Sequence, residues 1–193
     1  MSDIIIIMQF IDQESIKGKI IYSLGMGTGI LISLSNKRTS YKLTKALIKE
    51  IFGINTEKEK IKRDFYRLRI QKIISFKKIG DKHKIILTEK GKKIYLRFNY
   101  EKMTLPKKQI WDMKWRMILF DIPEKHKVAR DSFRDKMKEL GCVKFNNSVW
   151  LYPFSCGKEV DFIANYWNIG KYVHFAIVSK ITNEDNLRKH FNI

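Results

Sequence analysis

Arg63 and Arg67 stand four residues apart, about one α-helical turn, with Tyr66 beside them and Lys60 one turn ahead. A helix through this stretch carries all four on one face. Arginine makes paired hydrogen bonds to a guanine edge, and tyrosine or lysine reaches bases and phosphates, so the chemistry such a face offers is contact with a nucleic-acid groove. Lys62 and Arg69 flank it. Ile61, Phe65 and Leu68 recur at spacings of four and three, which gives the same helix a face to bury. Thr56, with Glu59 three residues later, reads as the capping box that opens it. The plain alternative for these charges is a solvated helix surface.

The elements around this helix decide how it is held. Lys19 to Ser35 is apolar enough for a buried helix, Ser35 to Ser40 is a polar loop, and Tyr41 to Phe52 places Leu43, Leu47, Ile48 and Ile51 on one face before Gly53. After the cationic helix, Ile73 to Lys78 and Lys84 to Thr88 are short β-like runs around Gly80, Asp81 and Lys82, a hairpin with basic strands. Thr88 then caps a last helix running to about Phe98. Three helices, a basic hairpin and a helix are the order of a winged helix-turn-helix. The segment from Leu68 to Gly91 resembles the end of many bacterial winged-helix regulators. In this arrangement Arg63 and Arg67 are the first candidates for base contact on double-stranded DNA, while Lys77, Lys78, Lys82 and Lys84 are candidates for phosphate contact.

Charge agrees with that placement. The 193 residues hold 39 Lys and Arg against 20 Asp and Glu, a formal net charge of +19. Lysine supplies 30 of the cations, so part of the excess is a bias of composition. Its distribution is more telling: residues 1–105 hold 23 basic and 10 acidic residues, net +13, and residues 106–193 hold 16 and 10, net +6. The composition, with 44% hydrophobic residues and three prolines, is that of a folded chain. Two cysteines, Cys142 and Cys156, are too few for a disulfide framework and suit a cytoplasmic protein. The four histidines are scattered without metal-ligand spacing, so no structural zinc is expected. No phosphate-binding loop, dinucleotide fingerprint or nucleophile elbow occurs, and no apolar run reaches the roughly 20 residues that cross a bilayer.

From Trp111 the pattern changes to β-α-β-β-α-β. Arg116 to Ile122 reads as a strand, Glu124 to Leu140 as a helix, and Cys142 to Phe145 with Ser148 to Tyr152 as a hairpin over Asn146 and Asn147. Gly157 to Asn168 reads as a helix and Tyr172 to Ser179 as the last strand. The expected fold is therefore α+β, a winged helix followed by a ferredoxin-like domain. The expected boundaries are 15–99 for the first domain, 100–110 for a linker, 111–182 for the second domain and 183–193 for a tail.

Trp111-Asp-Met-Lys-Trp-Arg116, Leu119-Phe-Asp-Ile-Pro-Glu124, Arg130, Gly141 and Ser148-Val-Trp-Leu-Tyr-Pro153 resemble the central domain of the PaaX-like repressors, the phenylacetate-degradation regulator family. That domain is similar to the small ferredoxin-like CRISPR-associated adaptation subunit. The resemblance implies a cytoplasmic transcriptional regulator, a repressor acting as a homodimer joined through residues 110–182, with no cofactor. Such repressors usually carry a further C-terminal domain, where this sequence has Asn183 to Ile193, so no effector is carried over. The resemblance to the adaptation subunit also implies an alternative. Asp121 matches its acidic position, where two protomers would hold Mg²⁺ between them for phosphodiester cleavage. The competing role for Asp121 is to accept backbone N–H bonds in the turn before Pro123. The four tryptophans are read as core or dimer-interface residues rather than base-stacking ones.

Overall fold

The structure is a computed structural model that describes residues 11–27, 31–33, 58–80, 82–106, 110–182 and 184–193. The helix expected over 41–52, the loop before it and the Thr56 cap lie outside the described residues. The chain divides into two compact units, residues 1–99 and 100–193. Each has its own apolar core.

In the first unit Ser15 opens α1 (Ile16–Gly25), its Oγ accepting from the Gly18 N–H at 3.1 Å. That satisfies one of the donors a first helical turn leaves free. Helix α1 buries Ile20, Ile21 and Leu24. It stops at Gly25, so the helix expected to Ser35 is corrected. Leu31–Ser33 form a strand, β1, instead. Gly27 supplies the break with φ at +88°, a left-handed conformation that costs glycine little. An apolar run by itself does not separate a buried helix from a buried strand.

Next among the described residues is α2 (Lys58–Ile70), which buries Ile61, Phe65 and Leu68 against the same core. The hairpin of β2 (Ile74–Ile79) and β3 (Lys82–Leu87) follows, with Lys77 opposite Lys84 and Phe76 opposite Ile85. Strand β1 pairs with β3 on its other side, with Leu31 opposite Lys84, giving an antiparallel sheet of order β1-β3-β2. Thr88 caps α3 (Glu89–Lys102) as expected: its Oγ1 accepts from the Gly91 N–H at 3.2 Å and donates to the Lys72 carbonyl at 2.6 Å. Gly91 is required for a different reason, because a Cβ there would collide with the carbonyl oxygen of Ile73.

The second unit takes in the end of α3 from Tyr100 onward. The stretch expected as a linker is therefore helical to Lys102, and it belongs to a core. The Tyr100 ring stacks on Tyr166 at 4.5 Å, its hydroxyl donates to the Ser132 carbonyl, and Leu105 is buried. Strand β4 (Trp115–Phe120), helix α4 (Lys127–Glu139), strands β5 (Val143–Asn146) and β6 (Val149–Tyr152), helix α5 (Gly157–Tyr166) and strand β7 (Val173–Val178) follow in the β-α-β-β-α-β order read from the sequence. The sheet is antiparallel with order β5-β6-β4-β7. Helices α4 and α5 cover one face, where Phe120 meets Phe133 edge-on at 5.2 Å. The expected tail is a helix, α6 (Asp185–Phe191), and Leu187 and Phe191 pack against Trp115, Leu151 and Ile181. No helix among the described residues is long and apolar enough to cross a membrane.

Gly91→Ala is expected to destabilise the first unit by about 1–3 kcal/mol, as overfilled sites do. Trp115→Ala, which empties a fully buried position, should cost the second unit about 3–5 kcal/mol. All four tryptophans lie in the second unit, so urea titration followed by fluorescence isolates that unit and circular dichroism reads both. A Gly91→Ala protein melting like the parent would mean that the Ile73 carbonyl yields freely.

Candidate nucleic-acid interface

The expected cationic face exists on α2. Lys60, Arg63, Tyr66, Arg67 and Arg69 are exposed and Lys62 is half-buried, while the apolar spacing turns Ile61, Phe65 and Leu68 inward. The side chains differ in how free they are. Among the described residues Arg63 has no acidic partner, and Arg67, itself exposed, has only a long contact of 3.8 Å with the largely buried carboxylate of Asp64. At that length the contact is no hydrogen bond, and it leaves the exposed guanidinium available. Arg69 is engaged differently, its guanidinium lying 5.1 Å over the Phe76 ring, so it braces α2 against the hairpin.

The hairpin cations do not form one surface. Side chains alternate along a strand, and Phe76 meets Phe65 of α2 at 6.3 Å, so the α2 side of the sheet carries positions 74, 76 and 78. Lys78 shares that side. Lys77 and Lys84, paired across the strands, occupy the opposite side, as does position 82 by register. Of Lys77, Lys78 and Lys84, the strand period brings Lys78 alone to the side of Arg63 and Arg67.

Residues that sequence reasoning passed over extend the α2 face. Ile70, 63% exposed, follows Tyr66 by one turn, and with Lys17 of α1, Arg67 and Gln71 it lines a depression of about 400 Å³. The signal was present in the spacing of Tyr66 and Ile70, but an isoleucine at a helix end reads as core.

In the second unit Asp121 follows β4 and is exposed. Its backbone N–H donates to the Tyr172 carbonyl at 3.0 Å, whereas its carboxylate receives no hydrogen bond from the described residues. The turn-capping role is thus corrected, since the turn closes through His126 N–H to the Pro123 carbonyl at 2.9 Å. Glu124 is taken by Arg130 at 2.8 Å, and that pair holds the Glu124 carboxyl below its usual range. Among the described residues no three His, Cys, Asp or Glu side chains are placed to hold a metal ion. Burial pushes both cysteine thiols up, Cys156 to about 12, which keeps them protonated and unreactive.

Residues 108–189 match the family model of the PaaX protein central Cas2-like domain. No curated protein matches the chain. Within the matched region, the tryptophan-arginine motif anchors the fold. Trp115 is fully buried, packs against Trp111 at 5.2 Å and donates from Nε1 to Glu184 at 2.9 Å. Arg116, almost buried, grips Asp112 with two hydrogen bonds, one of 2.7 Å, and donates to the Pro153 carbonyl at 2.8 Å. Trp150 is buried in the helix-side core, and Trp167 packs partly buried against it.

The Arg116 guanidinium holds the Asp112 carboxyl down to about 2. An unfolded aspartate titrates near 3.9, so this pair stabilises the folded unit above that value and loses its effect as pH falls toward 2. Asp112→Asn is expected to lower the urea midpoint of the second unit at pH 6 and to flatten its decline between pH 5 and pH 2. Fluorescence-monitored urea titration at several pH values measures both. Identical acid profiles for parent and variant would assign the acid sensitivity to Glu124 and Glu184 instead.

Proposed function

The chain carries the central domain of the PaaX-like family, and from that premise we propose that it is a transcriptional regulator that binds double-stranded DNA sequence-specifically. Its first unit acts as a winged helix-turn-helix and its second as a ferredoxin-like dimerisation domain. The observation that carries the reading is the α2 face: Arg63, Tyr66 and Arg67 stand exposed on a helix held from behind by Ile61, Phe65 and Leu68. An α-helix fits the major groove, where arginine discriminates guanine by about 1–3 kcal/mol for each good paired contact. Lys60 and Lys62 on α2, and Lys78 on the adjoining side of the hairpin, sit where phosphates flank such a helix.

Dimerisation completes the reading. Among the described residues strand β7 is an edge strand, paired only with β4, and it exposes Phe175 and Ile177. Pairing through this unit would give the protein two α2 helices, as a two-fold operator with half-sites about 10 base pairs apart requires. Repression follows as the simplest outcome of occupying such an operator.

Selection from a random DNA pool should recover a palindromic site. On that site Arg63→Ala with Arg67→Ala should weaken binding by about a hundredfold or more, with a smaller loss on random DNA. Equal losses on both would remove base reading by α2. Lys78→Gln should leave site preference intact and make the slope of log affinity against log salt shallower by about one. Fluorescence anisotropy at several salt concentrations reads all of these. Incubation with Mg²⁺ should leave the DNA intact; metal-dependent cleavage abolished by Asp121→Ala would replace this reading with a nuclease.

A further inference from the structure

Beside β3 the first unit contains a groove of about 550 Å³, to which Lys77, Lys84 and Ile86 contribute from the side of the hairpin turned away from α2 and Ile85 and Leu87 from the other side. Its walls are the end of α1 at Leu24, the strand residues Ile85, Ile86 and Leu87, and Tyr95 and Leu96 of α3. The size lies within the range of small-molecule sites.

Three lysines, Lys77, Lys84 and Lys92, stand at this apolar surface. Lys92 is already paired with Glu89 at 2.7 Å. Lys77 and Lys84 differ: they lie directly opposite each other across β2 and β3, and neither has an acidic partner among the described residues. Like charges facing across an antiparallel pair repel, and an anion shared between them removes that cost. They also lie away from the Arg63 and Arg67 side, so contact by α2 with DNA does not by itself engage them.

We propose that this groove is a binding site for an amphipathic organic anion, a carboxylate on an unbranched hydrocarbon chain. The carboxylate sits between the ammonium groups of Lys77 and Lys84, and the chain lies along Leu24, Ile86, Tyr95 and Leu96. Charge complementarity sets the head group. The largely aliphatic walls set the body, because a nucleobase or sugar entering there would leave its polar edges unpaired. The proposal stands independently of DNA binding.

Titration calorimetry of the full chain with decanoate tests it, with decanol and inorganic phosphate as controls. Decanoate should bind saturably at one site per chain, and decanol and phosphate each at least about tenfold more weakly, since each supplies half of the complementarity. Lys77→Gln with Lys84→Gln should weaken decanoate by about tenfold or more while leaving the thermal melt of the free protein unchanged or raised. Lys78→Gln, on the other side of the sheet, should leave decanoate affinity unchanged. Absence of saturable binding, or equal affinity in the Lys77 and Lys84 double variant, overturns the proposal. Phosphate binding as tight as decanoate would reduce the site to a phosphate contact.

Discussion

Burial of Ile61, Phe65 and Leu68 is the constraint on which the candidate interface rests. Each such side chain removed from water stabilises the fold by about 1.5–3 kcal/mol, whereas exposed charges on a helix contribute roughly 0–1 kcal/mol per pair. The apolar stripe therefore fixes the rotation of α2 about its axis, and the cations go where that rotation sends them. Arg63, Tyr66 and Arg67 are outward because the positions between them are inward. The helix is further braced by Phe76 against Phe65 and by Arg69 over the Phe76 ring. A rigidly seated helix is what base reading needs, since paired hydrogen bonds tolerate little misplacement.

The second unit uses strand alternation as the first uses helical periodicity. Trp115 and Arg116 are neighbours in β4 and face opposite sides of the sheet. One is held by Glu184 ahead of α6, and the other by Asp112 and the Pro153 carbonyl. The short motif thereby closes the unit from both faces at once. It also explains why α6 is part of the fold: without Leu187 and Phe191, the face bearing Trp115 and Leu151 would lie open to water.

Where burial follows one regular period, the sequence was a sound guide. The inward and outward positions of α2, the Thr88 cap and the strand-helix order of the second unit could all be read from spacing. Three features could not. The run from Ile20 to Leu34 is apolar almost throughout, so it has no period to choose between helix and strand, and the left-handed backbone at Gly27 decides the matter. Tyr100 and Leu105 sit among polar neighbours, and only their partners in the second unit reveal them as core. In α6, Leu187 and Phe191 are a single i, i+4 pair, too short a pattern to signal a helix before the face it covers is known.

The same alternation recasts the charge of the first half. Net +13 over residues 1–105 looked like a single field directed at one polyanion. Registration of β2 against β3 divides it, sending Lys78 toward the Arg63 side and Lys77 with Lys84 to the other. A diffuse phosphate-binding surface would gain from cations spread over both sides of the hairpin tip, but it gives no reason for Lys77 and Lys84 to oppose each other above an apolar groove. Repulsion of that kind persists in a stable fold at a cost, and the cost disappears when an anion is held between the two strands. The hairpin therefore carries its cations on both faces, Lys78 on the side of α2 and Lys77 with Lys84 beside the groove.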